Sequence, residues 1–265
     1  MRLAAYVGGL GVLGPGLADW PQTAAVLAGR QAYCPAPAVL PMPAVLPAAE
    51  RRRTGRVVKL ALAIALEATA QAGEDPAALA SVFTSSGGDG QNCHEICHAL
   101  SLADREISPT RFANSVHNAA AGYWSIATGA MVESTVLCAF DASFAAGLLE
   151  ALTQVAVDRI PVLLVAYDSE YPQPLHDKRP IPDAFGVALV LTPNRRDGSL
   201  ARIDAALTEL SYDRLTDPAL EALRSGCPAA RALPLLRRLA ERRGGSTILE
   251  YLDVSRLEVR IEPCL

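Results

Sequence analysis

The sequence predicts an α/β fold, with helices layered on both faces of a mixed, mostly parallel sheet. Three observations carry that reading. Apolar runs of strand length alternate with segments whose apolar residues recur every three to four positions. One run, Val162 to Tyr167, is apolar throughout, the pattern of an interior strand covered on both faces. Glu133 to Asp158 reads as a strand turning sharply into a helix. Ser134 to Leu137 is the strand, Ala139-Phe140-Asp141 the turn, and Phe144, Leu148, Leu149, Leu152 and Val155 mark one face of a helix from Ser143 to Val157.

The other elements follow in order. Leu3 to Val7 is a first strand, ended by a glycine-rich bend. Gly9, Gly11 and Gly14 fit the spacing G-x-G-x-x-G, but Pro15 and Gly16 follow at once, so no helix N-terminus faces a pyrophosphate and a dinucleotide site is not expected. Asp19-Trp20-Pro21 is a cap and helix start for Gln22 to Leu27. Five prolines between Tyr33 and Ala48 make an extended surface segment. Arg56 to Ala72 is a helix with Val57, Leu60, Ile64 and Ala68 on one face and Gly73 as its stop. Ala80 to Phe83 is a strand leading into the polar loop Thr84 to Gly90, and a helix follows from Asn92 to Leu100. Asn114 to Gly129 contains a helix of small residues with Tyr123 and Trp124. Ala184 to Leu191 and Ala201 to Leu207 are two strands, or a strand and a helix. Ala219 to Arg224 and Leu233 to Arg243 are helical, and Leu257 to Ile261 is a terminal strand.

Composition narrows the function classes. Of 265 residues, 51% are hydrophobic and 20% charged, so the chain has material for a large core and is not disordered. A net charge of −4 recommends no nucleic-acid partner. Basic clusters at Arg51-Arg52-Arg53 with Arg56, and at Arg237-Arg238 with Arg242-Arg243, are solvated faces or sites for an acidic partner. Six cysteines in a chain this long are no disulfide scaffold and fit a reducing cytoplasm. No run of 18 apolar residues occurs, so no membrane span is expected.

Chemistry concentrates at the strand-to-helix turn. Such a turn points one side chain at the positive end of the helix dipole, where many enzymes hold a nucleophile. Here that residue is Asp141, a carboxylate; Asp141 or Ser143 also suits a helix N-cap. Cys138 lies three residues earlier, on the strand, as a buried small apolar residue or a thiolate. Cys93 and Cys97 are one helical turn apart, as are His94 and His98. The two pairs occupy strips about 100° apart, so all four do not converge on one zinc ion. Ordinary helix packing is the simpler reading, with a zinc-binding interaction module using outside ligands as the other.

Four segments, taken together and in order, resemble the N-terminal half of β-ketoacyl synthases: YVGGLGVLGPG, SVFTSSGGDG, SPTRFANSVHNAAAGYWSIATG and STVLCAFDASFAAGLLEA. The later IPDAFGVALVLTPNRRDGSLARIDAALTE is similar to the strands that close that half. The resemblance implies a truncated thiolase-like fold, with residues 1–210 as the ketosynthase-like domain and 211–265 as a short remnant packed on it. It is strongest to short, chain-length-factor-like proteins of aryl polyene clusters. It sets Asp141 where the family holds its cysteine nucleophile, and it finds no counterpart for the family's two histidines and lysine.

The resemblance therefore implies a subunit without catalytic residues or cofactor. It also implies a heterodimer with an active ketosynthase, which reaches the acyl carrier protein through the complex. Arg111, Phe112, Asn114, Val116 and His117 are then expected to close the partner's acyl tunnel, with Phe112, Tyr123 and Trp124 equally readable as interface or plain core. The rival is an acyl-transfer or decarboxylating enzyme using Cys138 or Asp141.

Overall fold

In the computed structural model, which describes residues 3–264, eight strands form one mixed sheet. The chain runs β1 (Leu3–Leu13), α1 (Trp20–Leu27), α2 (Ala48–Arg51), α3 (Arg56–Ala72), β2 (Ala80–Thr84), α4 (Gly90–Ser101), α5 (Pro109–Ala113), α6 (Ala119–Thr128) and β3 (Ser134–Leu137). It continues through α7 (Ser143–Asp158), β4 (Val162–Asp168), β5 (Phe185–Thr192), β6 (Ala201–Thr208), α8 (Pro218–Gly226), α9 (Leu233–Glu241), β7 (Gly245–Leu249) and β8 (Arg256–Pro263). The strand order is β3-β2-β4-β5-β1-β6-β8-β7.

The mixed sheet is as expected, but it is not mostly parallel. Only β2 pairs in parallel, with β3 and β4; the other five neighbour pairs are antiparallel. The cause lies in the connections. A parallel neighbour needs a crossover, usually a helix, whereas β5–β6 and β7–β8 are joined by short loops and β4–β5 by an excursion without an α-helix.

The first strand also differs from expectation. It does not end at its glycines but runs through Gly8, Gly9 and Gly11 to Leu13, with an irregularity in its register against β5 between Val7 and Gly9. Gly9 and Gly11 are required because α3 lies directly on the strand. A Cβ on Gly9 would stand 2.1 Å from the Ala68 carbonyl oxygen, and one on Gly11 2.0 Å from that of Ile64. On the far half of β1, where β6 no longer pairs, α3 supplies the missing acceptors. Gln71 Oε1 accepts from Leu10 N–H at 2.6 Å and Glu67 Oε2 from Val12 N–H at 2.9 Å. Burial pushes the Glu67 carboxyl above its ordinary range.

Core packing follows strand alternation. On β4, Val162, Leu164 and Ala166 face one cluster, which they share with α1, α7 and α9. Leu163, Val165 and Tyr167 face the other, shared with α3 and α6. Among the described residues one helical stretch, Phe140–Asp158, has the length and apolarity of a membrane span. Half of it is buried here, with α7 packed on β4, β1 and β2.

Residues 211–264 join the same sheet. β8 is hydrogen-bonded along β6 from Ala201↔Pro263 to Thr208↔Arg256, and β7 forms the outer edge. α9 packs on α1 from the same side.

Candidate functional site at the strand-to-helix elbow

Because β2, β3 and β4 are parallel, their carboxyl ends meet at one end of the sheet. That end gathers the loop after β2, the turn after β3 and Asp168 at the close of β4.

The turn after β3 is a single 3₁₀ turn, Phe140–Ala142, leading straight into α7. Phe140 has φ of +51°, a left-handed conformation that is strained for an aromatic residue. Neither expected residue caps α7: its N-cap is Ala142, with no side-chain hydrogen bond. Ser143 braces the turn instead, its Oγ accepting from Ala139 N–H at 3.1 Å and donating to the Phe140 carbonyl at 2.7 Å.

Asp141 is held by two arginines distant in sequence. Arg179 reaches Oδ1 at 2.6 Å and Arg231 reaches Oδ2 at 3.0 Å. Arg231 also pairs with Glu250 at 3.2 Å, Glu250 with Arg224 at 2.8 Å, and Arg224 with Glu221 at 2.8 Å. One ion-pair chain therefore joins the elbow to the C-terminal segment. Arg179 lies over the Phe140 ring, 3.9 Å from its centroid. Both carboxylate oxygens of Asp141 are thus engaged, and charge is balanced within the chain.

Near the elbow sits Asp168, buried and, among the described residues, without a cationic partner at bonding distance. Its Oδ1 accepts from Ser86 N–H at 2.8 Å, Ser86 Oγ at 2.6 Å and Ser85 Oγ at 3.2 Å; Oδ2 accepts from Ala229 N–H at 3.0 Å. Burial pushes its carboxyl up to about 6, opposed by those hydrogen bonds. The same acid ties the loop after β2 to the 3₁₀ helix Ala229–Ala232, which carries Arg231. Tyr171 covers the loop: a Cβ on Gly87 would meet its hydroxyl at 1.8 Å, and one on Gly90 its ring at 1.8 Å.

Cys138 follows β3 and is exposed rather than buried, its thiol donating to the Ser86 carbonyl at 3.2 Å. Cys93 and Cys97 are exposed on α4, and the His94 and His98 rings stack with centroids 6.4 Å apart. Among the described residues no three His, Cys, Asp or Glu side chains group as metal ligands would.

The residues expected at a partner's tunnel divide into two sets. Phe112 and Val116 are exposed, while Arg111 pairs with Glu95 at 3.5 Å. Asn114 donates to the Arg53 carbonyl at 2.9 Å and accepts from the Tyr123 hydroxyl at 3.2 Å. His117 is half-buried, its Nε2 lacking a hydrogen-bond partner among the described residues. Tyr123 and Trp124 belong to this chain's own core, Trp124 being only 1% exposed. A cavity of about 410 Å³ brings Thr110, Asn114, Val116, Gly122, Tyr123 and Ile126 together.

Asp168, Tyr171, Arg179 and Arg231 were not anticipated. Only Asp168 left a trace in the sequence, as a lone acid closing a fully apolar run. The arginines act over 38 and 90 residues, beyond any local pattern.

A family model described as beta-ketoacyl synthase, N-terminal domain, matches residues 20–243. No curated protein matches the chain. Among solved structures, a chain of the ketosynthase (ApeO) in complex with its chain length factor (ApeC) from Xenorhabdus doucetiae is similar, with TM-score 0.74 and 22% identity over 97% of this chain and 99% of that one. The ishigamide ketosynthase/chain length factor gives TM-score 0.70 and 13% identity over 99% and 100%. A type II polyketide synthase complex of ketosynthase and acyl-carrier protein, AntDE:AntF, gives 0.74 and 11% over the full length of both chains. At these identities the likeness establishes the thiolase-like fold of the ketosynthases.

Proposed function

This chain belongs to the beta-ketoacyl synthase N-terminal domain family, and from that premise we propose that it is a non-catalytic, chain-length-factor-like subunit. It pairs with an active ketosynthase in the cytoplasm and bounds that partner's acyl tunnel during type II, fatty-acid-like synthesis of an aryl polyene. The acyl carrier protein is served through the complex, and the decarboxylative condensation belongs to the partner.

One observation carries the reading. At the elbow position that the family resemblance assigns to a cysteine nucleophile, this chain has Asp141, with both carboxylate oxygens bound by Arg179 and Arg231. A carboxylate forms no thioester, and both of its oxygens here are already paired with guanidinium groups. Val116 and Ile126, exposed in the cavity beside α5 and α6, and Phe112, exposed on α5, supply apolar surface of the kind a protein partner covers. Arg111, Asn114 and His117 lie on the same segment, and Tyr123 and Trp124 support it from the core. A tunnel that stops against such a wall discriminates length, since a further two-carbon unit would overpack at about 1–3 kcal/mol.

Co-expression with the ketosynthase of the same locus tests the proposal. A stable 1:1 complex that condenses malonyl units, with no acyl adduct on this chain by intact-protein mass spectrometry, is the expected result. Acylation of Cys138, or of the chain purified alone, would refute it.

A further inference from the structure

We propose that His94 and His98, one turn apart on the solvent side of α4, are a two-nitrogen chelating site for a borderline divalent cation of the zinc(II) class. The site goes beyond the subunit role proposed above and does not depend on it.

The packing of α4 leaves these two histidines unused. Its inner side is made by Asn92, which is buried and donates to the Arg111 carbonyl at 2.9 Å, and by the half-buried Ile96. At about 100° per residue, His94 and His98 fall on the opposite side of the helix. Their rings stack there with centroids 6.4 Å apart and planes inclined by 27°. Among the described residues, no ring nitrogen of either has a hydrogen-bond partner. Residues four apart on a helix are surface neighbours, so two imidazoles at this spacing reach one ion. An ion about 2.0–2.1 Å from one nitrogen of each ring, at tetrahedral angles, sets the centroids roughly 5 Å apart. The rings therefore have to close by only about 1 Å, a small turn of their side-chain torsions.

The neighbouring groups select imidazole as the donor. Cys93 and Cys97 form the adjacent strip, but a thiol holds zinc as the thiolate. Burial, and after it Cys97, push the Cys93 thiol above its ordinary range, which keeps its proton in place at neutral pH. Glu95 follows His94 in sequence, yet both its carboxylate oxygens are taken, one by Gln91 Nε2 at 2.8 Å and the other by Arg111 at 3.5 Å. The chain thus offers two nitrogens and no third ligand among the described residues, and water fills the remaining positions of the ion. Imidazole pairs suit zinc, copper and nickel rather than magnesium or calcium, which take oxygen.

The experiment titrates zinc chloride into the full, untagged chain at neutral pH by isothermal titration calorimetry, with the thiols kept reduced. Wild type is compared with His94→Ala, His98→Ala, the double variant Cys93→Ser/Cys97→Ser, and His176→Ala as the control for a lone imidazole. The expected result is one zinc per chain for wild type, the cysteine variant and H176A. H94A and H98A should each show a dissociation constant about 100-fold higher, since the remaining imidazole has lost its intramolecular second donor. Circular dichroism checks the fold of each variant, and His98→Gln carries the test if an alanine variant does not fold. A wild-type chain that takes up no zinc would overturn the site. Zinc binding that both histidine variants retain, or that the cysteine variant loses, would overturn it as well. Each of these outcomes leaves the proposed ketosynthase partnership standing, because that is read from complex formation and not from metal.

Discussion

Replacing Asp168 by asparagine removes a buried charge while keeping the side chain's shape, and the consequence depends on pH. In the folded chain the carboxyl titrates near 6, against an ordinary value of 3.8. Between those values the folded state binds more protons than the unfolded state, so stability rises as pH falls. The full contribution, about 2 pH units or about 3 kcal/mol, is present below pH 4 and lost as pH rises through 6. From pH 6.5 to 4.5 the wild type should gain about 2 kcal/mol from this group alone. Asparagine has no such linkage. Its amide would also face the Ala229 N–H donor to donor, costing about 1–3 kcal/mol at any pH. Urea unfolding at the two pH values measures the effect. Other titrating groups, Glu67 and Asp89 among them, occur in both proteins and cancel in the difference. The expected outcome is that the gap between wild type and D168N widens by about 2 kcal/mol at the lower pH. A gap that stays constant would refute the assignment of a raised, proton-binding carboxyl to this position.

Gly11→Ala should destabilise the chain by about 3 kcal/mol, the upper end for overpacking, seen as a lowered thermal midpoint, because its Cβ meets the backbone of α3 rather than a yielding side chain. Asp141→Cys should remain unacylated by acyl thioesters in mass spectrometry. It should also lose about 1–2 kcal/mol in denaturant unfolding, a modest figure because the arginines it strands are partly solvated. Brief maleimide labelling of the native protein should modify Cys138, and Cys227 only after denaturation, as peptide mapping would report.

Local periodicity carried much of the fold. The helix at Arg56–Ala72, the strand at Ser134–Leu137 and the helix beginning at Ser143 were all legible, since each buries one face and ends at a recognisable turn. Gly9 and Gly11 of β1 misled because they do not end the strand. They accommodate a helix some 55 residues further on, and only the packed structure reveals that neighbour. β7 was missed for a related reason: GSTIL is short and begins at a glycine, and it becomes a strand by pairing with β8. At the elbow, the position of Asp141 could be read from strand, turn and helix. Its two arginines could not, because charges that meet through folding leave no mark on the residues between them.

The antiparallel pairing of β6 with β8 bears on how this polypeptide could ever be shortened. Eight residue pairs fasten the last strand to the middle of the sheet, and the stretch before it carries the guanidinium that steadies the elbow. A cut after Glu209 would strip β6 to a bare rim and release Asp141 from one of its two tethers. These closing residues serve as the clasp, and removing them should undo the elbow along with the sheet.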